Sequence, residues 1–345
     1  MAIDEINAAG GIKSMGGAKL EAALADSQSR PEIGVAEVER LQQDGVSAYV
    51  GCFASAIALA ATQAAAKYNT PFLIDVGVSD LIVSRGLKNV FRLAPGFGKC
   101  VDDAIVALGE VNKAANGIAK TAVLVHEESE FGTGTAKLLA GKMPSINIQV
   151  AEVIKHANPT RDFNNIVLRM KAVNPDIVIP ANYYNEYALL VRTMQQQRIV
   201  PKAIYSVLGG AASQYKFVQE FPEASNGIID CNHWFNPKDP RAQALRKRVE
   251  AQGKFFNYEV FLTYTAMMYL ADAIENAKSR ERGAITQALA NSTFSDHIMP
   301  YAATKVVNGQ NTGARPLMTQ VLNGDIKVIF PTDYREAAPL FPMKG

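Results

Sequence analysis

The chain has 345 residues, 48% of them hydrophobic and 20% charged, with a formal net charge of +2. That is ample apolar material for two cores and too small a charge excess for a nucleic-acid surface or a polybasic membrane patch. No run of about 18 apolar residues is available to span a bilayer, and the longest apolar-rich stretch, 258–277, is interrupted by polar residues.

The opening MAIDEINAAGG reads as the second half of an amphipathic helix, with Ile3 and Ile6 on one side and Gly10 and Gly11 closing it. A chain that opens in mid-helix predicts residues upstream, and any secretion leader with them. Residues 19–25 read as a strand. A helix follows from Pro31, with Val35, Val38 and Leu41 on one face and Gly45 at its end. A strand over 46–51 leads into a helix over 55–68. Strands at 71–76 and 89–93 and a helix from about 99 to 116 complete the first series.

A second βα series starts at Thr121. TAVLVHEESEFGTGTAKLLA reads as strand, loop and helix, and NIQVAEVIKH as a strand. In TRDFNNIVLRMKAVNPD, Phe163, Ile166, Val167 and Met170 recur at helical spacing. DIVIP is a short buried strand running into a loop at 181–185. A helix to about residue 198, a strand at 203–207, a helix and a strand at 227–230 follow. Beyond residue 239 the pattern changes to long helices over 240–253, 258–277 and 282–291. The end, MTQVLNGDIKVIFP, reads as an antiparallel hairpin turning at Asn323 and Gly324.

Alternating strands and helices imply parallel sheets covered on both faces. The predicted fold is α/β, with two doubly wound parallel-sheet lobes joined by a multi-strand hinge. Lobe one takes 1–118 plus about 255–322; lobe two takes 119–254 plus about 323–345.

Dedicated chemistry is sparse. Cys52, Cys100 and Cys231 lie far apart without CxxC or zinc spacing, so their redox state stays open. His126, His156, His233 and His297 show no metal-ligand spacing, and no metal is predicted. FGTGTAKLLAGK has Gly132 and Gly134, but Lys137 stands where a dinucleotide fingerprint needs its third glycine. GGIKSMGG precedes a strand instead of following one. No cofactor is predicted, and no nucleophile, histidine and acid form a catalytic set.

The ordered segments AIDEINAAGGI, VSAYVGCFASAIALA, TPFLIDVGVSDLI, NVFRLAP, EFGTGTAKLL and DFNNIVLRMKAVNPDIVI resemble the type I periplasmic binding proteins, in particular the branched-chain-amino-acid (Leu/Ile/Val-binding) branch that serves ABC importers. The resemblance covers nearly the whole chain. It implies a periplasmic, monomeric receptor without catalysis that closes on a small ligand between its lobes and delivers it to an ABC permease. The first strand of that family would precede Met1.

The resemblance also points to ligand loops. Ser55 reads as the N-cap of its helix, a role any helix can use. At the matching position the family carries a serine that binds the ligand carboxylate, helped by the amide groups around Ala54 and Ala56. Val78 and Ser79 follow the next strand, where family members offer backbone groups and a small hydroxyl. The plainer reading is a helix start, with Ser79 capping toward Leu81. Phe131 stands where amino-acid binders usually carry tyrosine, and either covers an apolar ligand tail or packs on its own helix. Asn182, Tyr183 and Tyr184 follow a buried strand, and Tyr184 is the favoured contact. Trp234 and Phe53 could border the tail, and Trp234 could equally pack near the hinge.

One departure bears on the ligand. The amino-acid binders place an acidic residue after the strand AIYSV, to hold the ammonium. Here that loop reads Leu208, Gly209, Gly210, Ala211, Ala212. A buried ammonium without an anion is costly, and HEESE around Glu128 and Glu130 reads as a solvated loop. The expected ligand is therefore a small organic acid with a carboxylate head and an apolar or aromatic tail. The alternatives are an amino-acid receptor, with Gly209 and Gly210 making room, or a sensory or regulator domain of the same fold.

Overall fold

A computed structural model describes residues 1–343. The chain forms two compact units: Met1–Gly96 with Glu259–Ala314, and Phe97–Tyr258 with Arg315–Gly345. The chain therefore passes from one unit to the other at 96/97, 258/259 and 314/315.

The first unit contains α1 (Ala2–Ala8), α2 (Pro31–Gln43), β1 (Tyr49–Val50), α3 (Ser55–Ala66), β2 (Phe72–Ile74), α4 (Leu81–Ser84) and β3 (Val90–Arg92). The second adds α5 (Phe97–Ala114), β4 (Thr121–Glu127), α6 (Glu130–Lys142), β5 (Gln149–His156), α7 (Asn164–Val173), β6 (Ile177–Ala181), α8 (Tyr184–Gln196), β7 (Ala203–Val207), α9 (Tyr215–Glu220), α10 (Pro222–Ser225), β8 (Ile229–Asn232) and α11 (Pro240–Glu250). The chain returns through α12 (Tyr258–Ala277) to α13 (Arg282–Ala290), β9 (Val306–Val307) and β10 (Gln310–Asn311) in the first unit. It ends on β11 (Leu317–Leu322) and β12 (Asp325–Phe330) in the second.

In the first unit the sheet order is β1-β2-β3-β10-β9, parallel except at β9. Its strands are apolar on both sides. Phe72, Ile74 and Val90 pack against α2, α3 and α4, while Leu73 and Phe91 join Ala266, Tyr269, Ile285 and Leu289 of α12 and α13. The segment 19–25, expected as a strand, is not one. It runs irregularly and exposed, Leu24 at 86%. Its ends are tied by Asn7, which bonds both the amide and carbonyl of Leu20, and by Arg40 on the Leu24 carbonyl. Among the described residues no strand pairs with it, and without a ladder a β-like pattern does not become a strand.

The second sheet has the order β12-β11-β8-β7-β6-β4-β5, parallel from β8 to β5 and antiparallel at β11 and β12. Helix α5 was expected in lobe one. It packs instead on α6, β7 and β8, with the Tyr205 hydroxyl donating to the Ala104 carbonyl. The other face is covered by α7 to α10, where Phe163, Val167, Met170, Tyr187, Leu190 and Phe217 form one core. The β11–β12 hairpin turns at Asn323 and Gly324, both at positive φ as a two-residue turn requires.

Chain order reverses within this sheet. From β4 the chain goes outward to β5, and from β6 it goes the other way to β7. The loops after β4 and β6 therefore flank a topological switch point, where the carboxyl ends of parallel strands open a crevice for ligands.

Candidate functional site

In the first unit, the loops after β1 and β2 are joined directly. Ser55 is the first residue of α3 rather than its cap. The N-cap is Ala54, and no side chain caps the helix. The buried Ser55 Oγ instead accepts from the Ser79 amide at 3.1 Å, so it bridges the two loops. The Gly77 amide donates to the Cys52 carbonyl at 2.9 Å. A Cβ on Gly77 would lie 3.1 Å from that carbonyl oxygen and 3.3 Å from Ala58, a tight fit that favours the absence of a side chain. Ser79 Oγ does accept from the Leu81 amide, at 3.3 Å. Ala54, Ser55, Val78 and Ser79 thus come together, and Phe53 stands 43% exposed on the same loop.

Arg92 supports this pair of loops from below. It is buried, and its guanidinium donates to the carbonyls of Ser79 (2.8 Å) and Gly77 (3.4 Å), to Asp80 (3.0 Å) and to Gln310 (2.7 Å). Asp75 closes β2 in a buried position, accepting from Thr263 at 2.6 Å and from the Val76 amide. Burial raises its carboxyl, against the pull of those donors. Burial, with Asp75 nearby, also pushes the Cys52 thiol up to about 12, which leaves it a poor nucleophile.

Helix α3 is twelve residues long, has no side-chain cap and has no acidic residue in its first turn. The first amides of such a helix lack intrahelical partners and carry the positive end of its dipole.

The second unit is built differently. Glu127, at the end of β4, is completely buried. Its carboxylate accepts from the Ser129 amide (2.5 Å) and hydroxyl (2.7 Å) and from the Gly132 amide (2.7 Å). Ser129 in turn caps Phe131 at 3.3 Å. The Phe131 and Gly132 amides in the first turn of α6 are therefore already taken. Glu128 is exposed and Glu130 partly so, as expected of HEESE, but the loop hides this one acid inside.

Phe131 is buried and lies 5.2 Å, ring to ring, from Tyr183. The Tyr183 hydroxyl is 3.5 Å from Ser129 Oγ, and burial pushes that phenol up to about 12. Tyr184, the favoured candidate, turns elsewhere. Its hydroxyl donates to Glu220 at 3.0 Å, and its ring meets Phe217 edge-on with Lys216 above it. The side-chain amide of buried Asn182 bonds His156 Nε2, and its Oδ1 has no hydrogen-bond partner among the described residues. Trp234 is buried against Phe235 and Tyr215, at 5.1 and 6.1 Å between rings. The structure thus groups Phe131 with Tyr183 and sets Gly210 against Asn182 and Tyr183; Gly209 lies one residue away, against Ser206 and Tyr187, while Tyr184 and Trp234 pack on other side chains.

The loop 208–212 differs from the expectation of a site without an anion. It contains no acid, yet a carboxylate reaches it from the next strand. Asp230 of β8 accepts from the Gly209 amide (3.0 Å), Ser213 Oγ (2.6 Å) and Asn232 Nδ2 (2.9 Å). Nor do the glycines make room. A Cβ on Gly209 would sit 2.7 Å from Ser206 Cβ, and one on Gly210 would sit 2.5 Å from the Asn182 carbonyl.

Sequence reasoning missed Asp75, Arg92, Glu127 and Asp230. The signal was a charged residue inside an apolar strand run, as in FLIDV, NVFRLA, AVLVHE and GIIDC. Among the described residues, no three His, Cys, Asp or Glu side chains converge as a metal site.

A family model described as periplasmic binding protein matches residues 1–325. A Leu/Ile/Val-binding protein homolog 7 from Brucella suis is 23% identical over 351 residues, covering 96% of this chain and 85% of that protein. Among solved structures, a leucine binding protein, LivK, from Thermotoga maritima aligns with a TM-score of 0.79 and 22% identity over 95% of this chain and 93% of that one. LivJ from Streptococcus pneumoniae, described as a branched-chain amino acid transporter substrate binding protein in complex with isoleucine, aligns at 0.81 and 21% over 94% and 90%.

Proposed function

This chain belongs to the periplasmic binding protein family, and from that premise we propose that it is the extracytoplasmic solute receptor of an ABC importer, taking a small ligand with a carboxylate head and an apolar or aromatic tail. It is a receptor fold and not an enzyme. No helix among the described residues is long and apolar enough to cross a membrane; delivery to an ABC permease is part of the proposal. The receptor is proposed to act as a monomer.

The observation that carries the reading is the contrast between α3 and α6. Helix α3 is uncapped and free of acid in its first turn, with Ser55 and Ser79 locked beside it. It offers amide hydrogens to an anion. Helix α6 has its first amides already taken by Ser129 and Glu127. Phe131 and Tyr183 above it make an aromatic wall for the tail. Glu127 and Asp230 are both occupied by protein donors, which supports a ligand without an ammonium. Phe53, Ala54 and Val78 complete the proposed contacts in the first unit, and Asn182 and Gly209 support the wall in the second.

A second reading, an amino-acid ligand, is favoured by the relatives and by Glu186. This acid lies in the first turn of α8, three residues after Tyr183, buried and with no hydrogen bond among the described residues. Titration calorimetry on matched pairs separates the two: phenylpyruvate against phenylalanine, and 4-methyl-2-oxopentanoate against leucine. The organic-acid reading expects the oxo acid to bind tighter in each pair. Tighter binding of the amino acids, lost in Glu186→Gln, establishes the second reading.

A further inference from the structure

The loop after β7 takes its shape from a residue outside it. Parallel pairing sets Ser206 of β7 opposite Asp230 of β8 and ends with the Leu208 amide on the Cys231 carbonyl at 2.9 Å. Asp230, completely buried, then receives the Gly209 amide on one oxygen and Ser213 Oγ with Asn232 Nδ2 on the other. One carboxylate thereby pins both ends of the segment 209–213.

What the segment touches makes this more than a structural clasp. The Gly210 amide donates to the Asn182 carbonyl at 3.0 Å. A Cβ on Gly210 would come within 2.8 Å of Tyr183 Cα, so the two backbones are in contact with no slack. Tyr183 in turn meets Phe131. A continuous series of contacts runs from Asp230 through Gly209 and Gly210 to the Tyr183–Phe131 wall.

We propose that Asp230 is a positioning residue for ligand binding: its carboxylate fixes the segment 209–213 against Asn182 and Tyr183 and so sets the aromatic wall presented to the ligand. The proposal rests on the reading of Phe131 and Tyr183 as ligand contacts given above.

The geometry also gives the site a pH response. The titratable groups facing Asp230 are Tyr187 from α8, Tyr205 from β7 and its neighbour Cys231, whose burial raises all three. They stay neutral at ordinary pH. Thr319 from β11 adds only a hydroxyl, 3.3 Å from the Asp230 carbonyl. Burial pushes the Asp230 carboxyl up to about 6, against the three donors that favour the ion. An ionised carboxylate accepts from all three. A protonated one carries a donor of its own into a ring of donors, and the cradle has to rearrange.

The test uses the full chain with phenylpyruvate and phenylalanine as probes, titrated between pH 5 and 8. In parallel, amide exchange of 208–214 and 182–187 is followed by mass spectrometry, corrected for intrinsic rates. The expected result is about a tenfold loss of affinity for the bound probe from pH 7.5 to 5, because the ionised fraction falls to about a tenth. Protection of 208–214 falls with the same midpoint near 6. Asp230→Asn binds weakly and gives flat curves in both measurements. Ser213→Ala, which keeps the charge but removes one donor, moves the midpoint to higher pH. A pH-independent exchange profile in the wild type, an unchanged profile in Asp230→Asn, or an unmoved midpoint in Ser213→Ala overturns the proposal. An exchange transition with neither probe bound supports the positioning of the loop and counts against the ligand reading alone.

Discussion

In the first unit the strand-end loops are held from below by a cation, and in the second they are held by anions. Arg92 takes up the carbonyl oxygens of Gly77 and Ser79. Glu127 and Asp230 take up amide hydrogens, those of Ser129 and Gly132 in one case and of Gly209 in the other. In the first unit the loop amides of Gly77 and Ser79 are also taken, by the Cys52 carbonyl and Ser55 Oγ, so the amides left to offer are those of the uncapped first turn of α3. The two units thus differ in what holds the carbonyls of the strand-end loops and in whether the following helix is capped, although the first unit also buries a carboxylate, Asp75, on the Val76 amide. Helix α8 fits the same pattern: it has no side-chain cap but carries Glu186 in its first turn, which already answers its dipole.

The largest test removes the cation. Arg92→Met leaves two loop carbonyls and Asp80 without their donor and should cost about 3 kcal/mol. Thermal melting reads the loss, and carboxylate affinity should fall with it. A variant that melts like the wild type would sever the link between Arg92 and the order of the 77–80 loop.

The next test concerns the second unit alone. In Gly210→Ala the added methyl meets backbone atoms of Asn182 and Tyr183 at 2.5–2.8 Å, neither of which can swing away. The expected cost is about 2 kcal/mol, with Tyr183 displaced and near-ultraviolet circular dichroism changed. If Gly210 were merely clearing space for a ligand, stability would hold and only binding would drop.

A smaller effect is expected in the first unit. Ser55→Ala removes the Oγ that accepts from the buried Ser79 amide, at about 1–2 kcal/mol. It should weaken a carboxylate ligand more than the corresponding amide. Equal weakening of both would take Ser55 out of carboxylate recognition.

The smallest is a control on glycine itself. Gly141 sits inside α6, and a Cβ added there would meet nothing within 4 Å. Gly141→Ala should stabilise the helix by up to about 1 kcal/mol and raise the melting temperature without touching affinity. Loss of stability there would mean that contact distances around glycines do not rank these substitutions.

Much of the fold was legible. The helical spacing of Phe163, Ile166, Val167 and Met170 became α7 with Phe163 at its N-cap position, and three of the four are fully buried. The Asn323–Gly324 pair became the hairpin turn. The segment 19–25 misled, because an apolar run marks a strand only where a neighbour supplies the ladder. Within the candidate site, loop positions could be read from the strand ends, but side-chain roles could not. Ser55 looked like a cap and became a cross-loop acceptor. Tyr184 looked favoured over Tyr183, and the helix start turned it toward Glu220.

The sequence by itself determined the two βα series, their apolar strands and the places where strands end in loops, since periodicity and turn chemistry are local. Tertiary structure alone decided strand order, and with it the switch point that sets Tyr183 beside Phe131. It also decided which charges lie beneath the loops. Asp230 is 21 residues from Gly209, and Arg92 is 13 from Ser79. Such pairs meet only when parallel strands pack side by side, and the buried charge then holds the backbone groups of a loop that is distant in sequence.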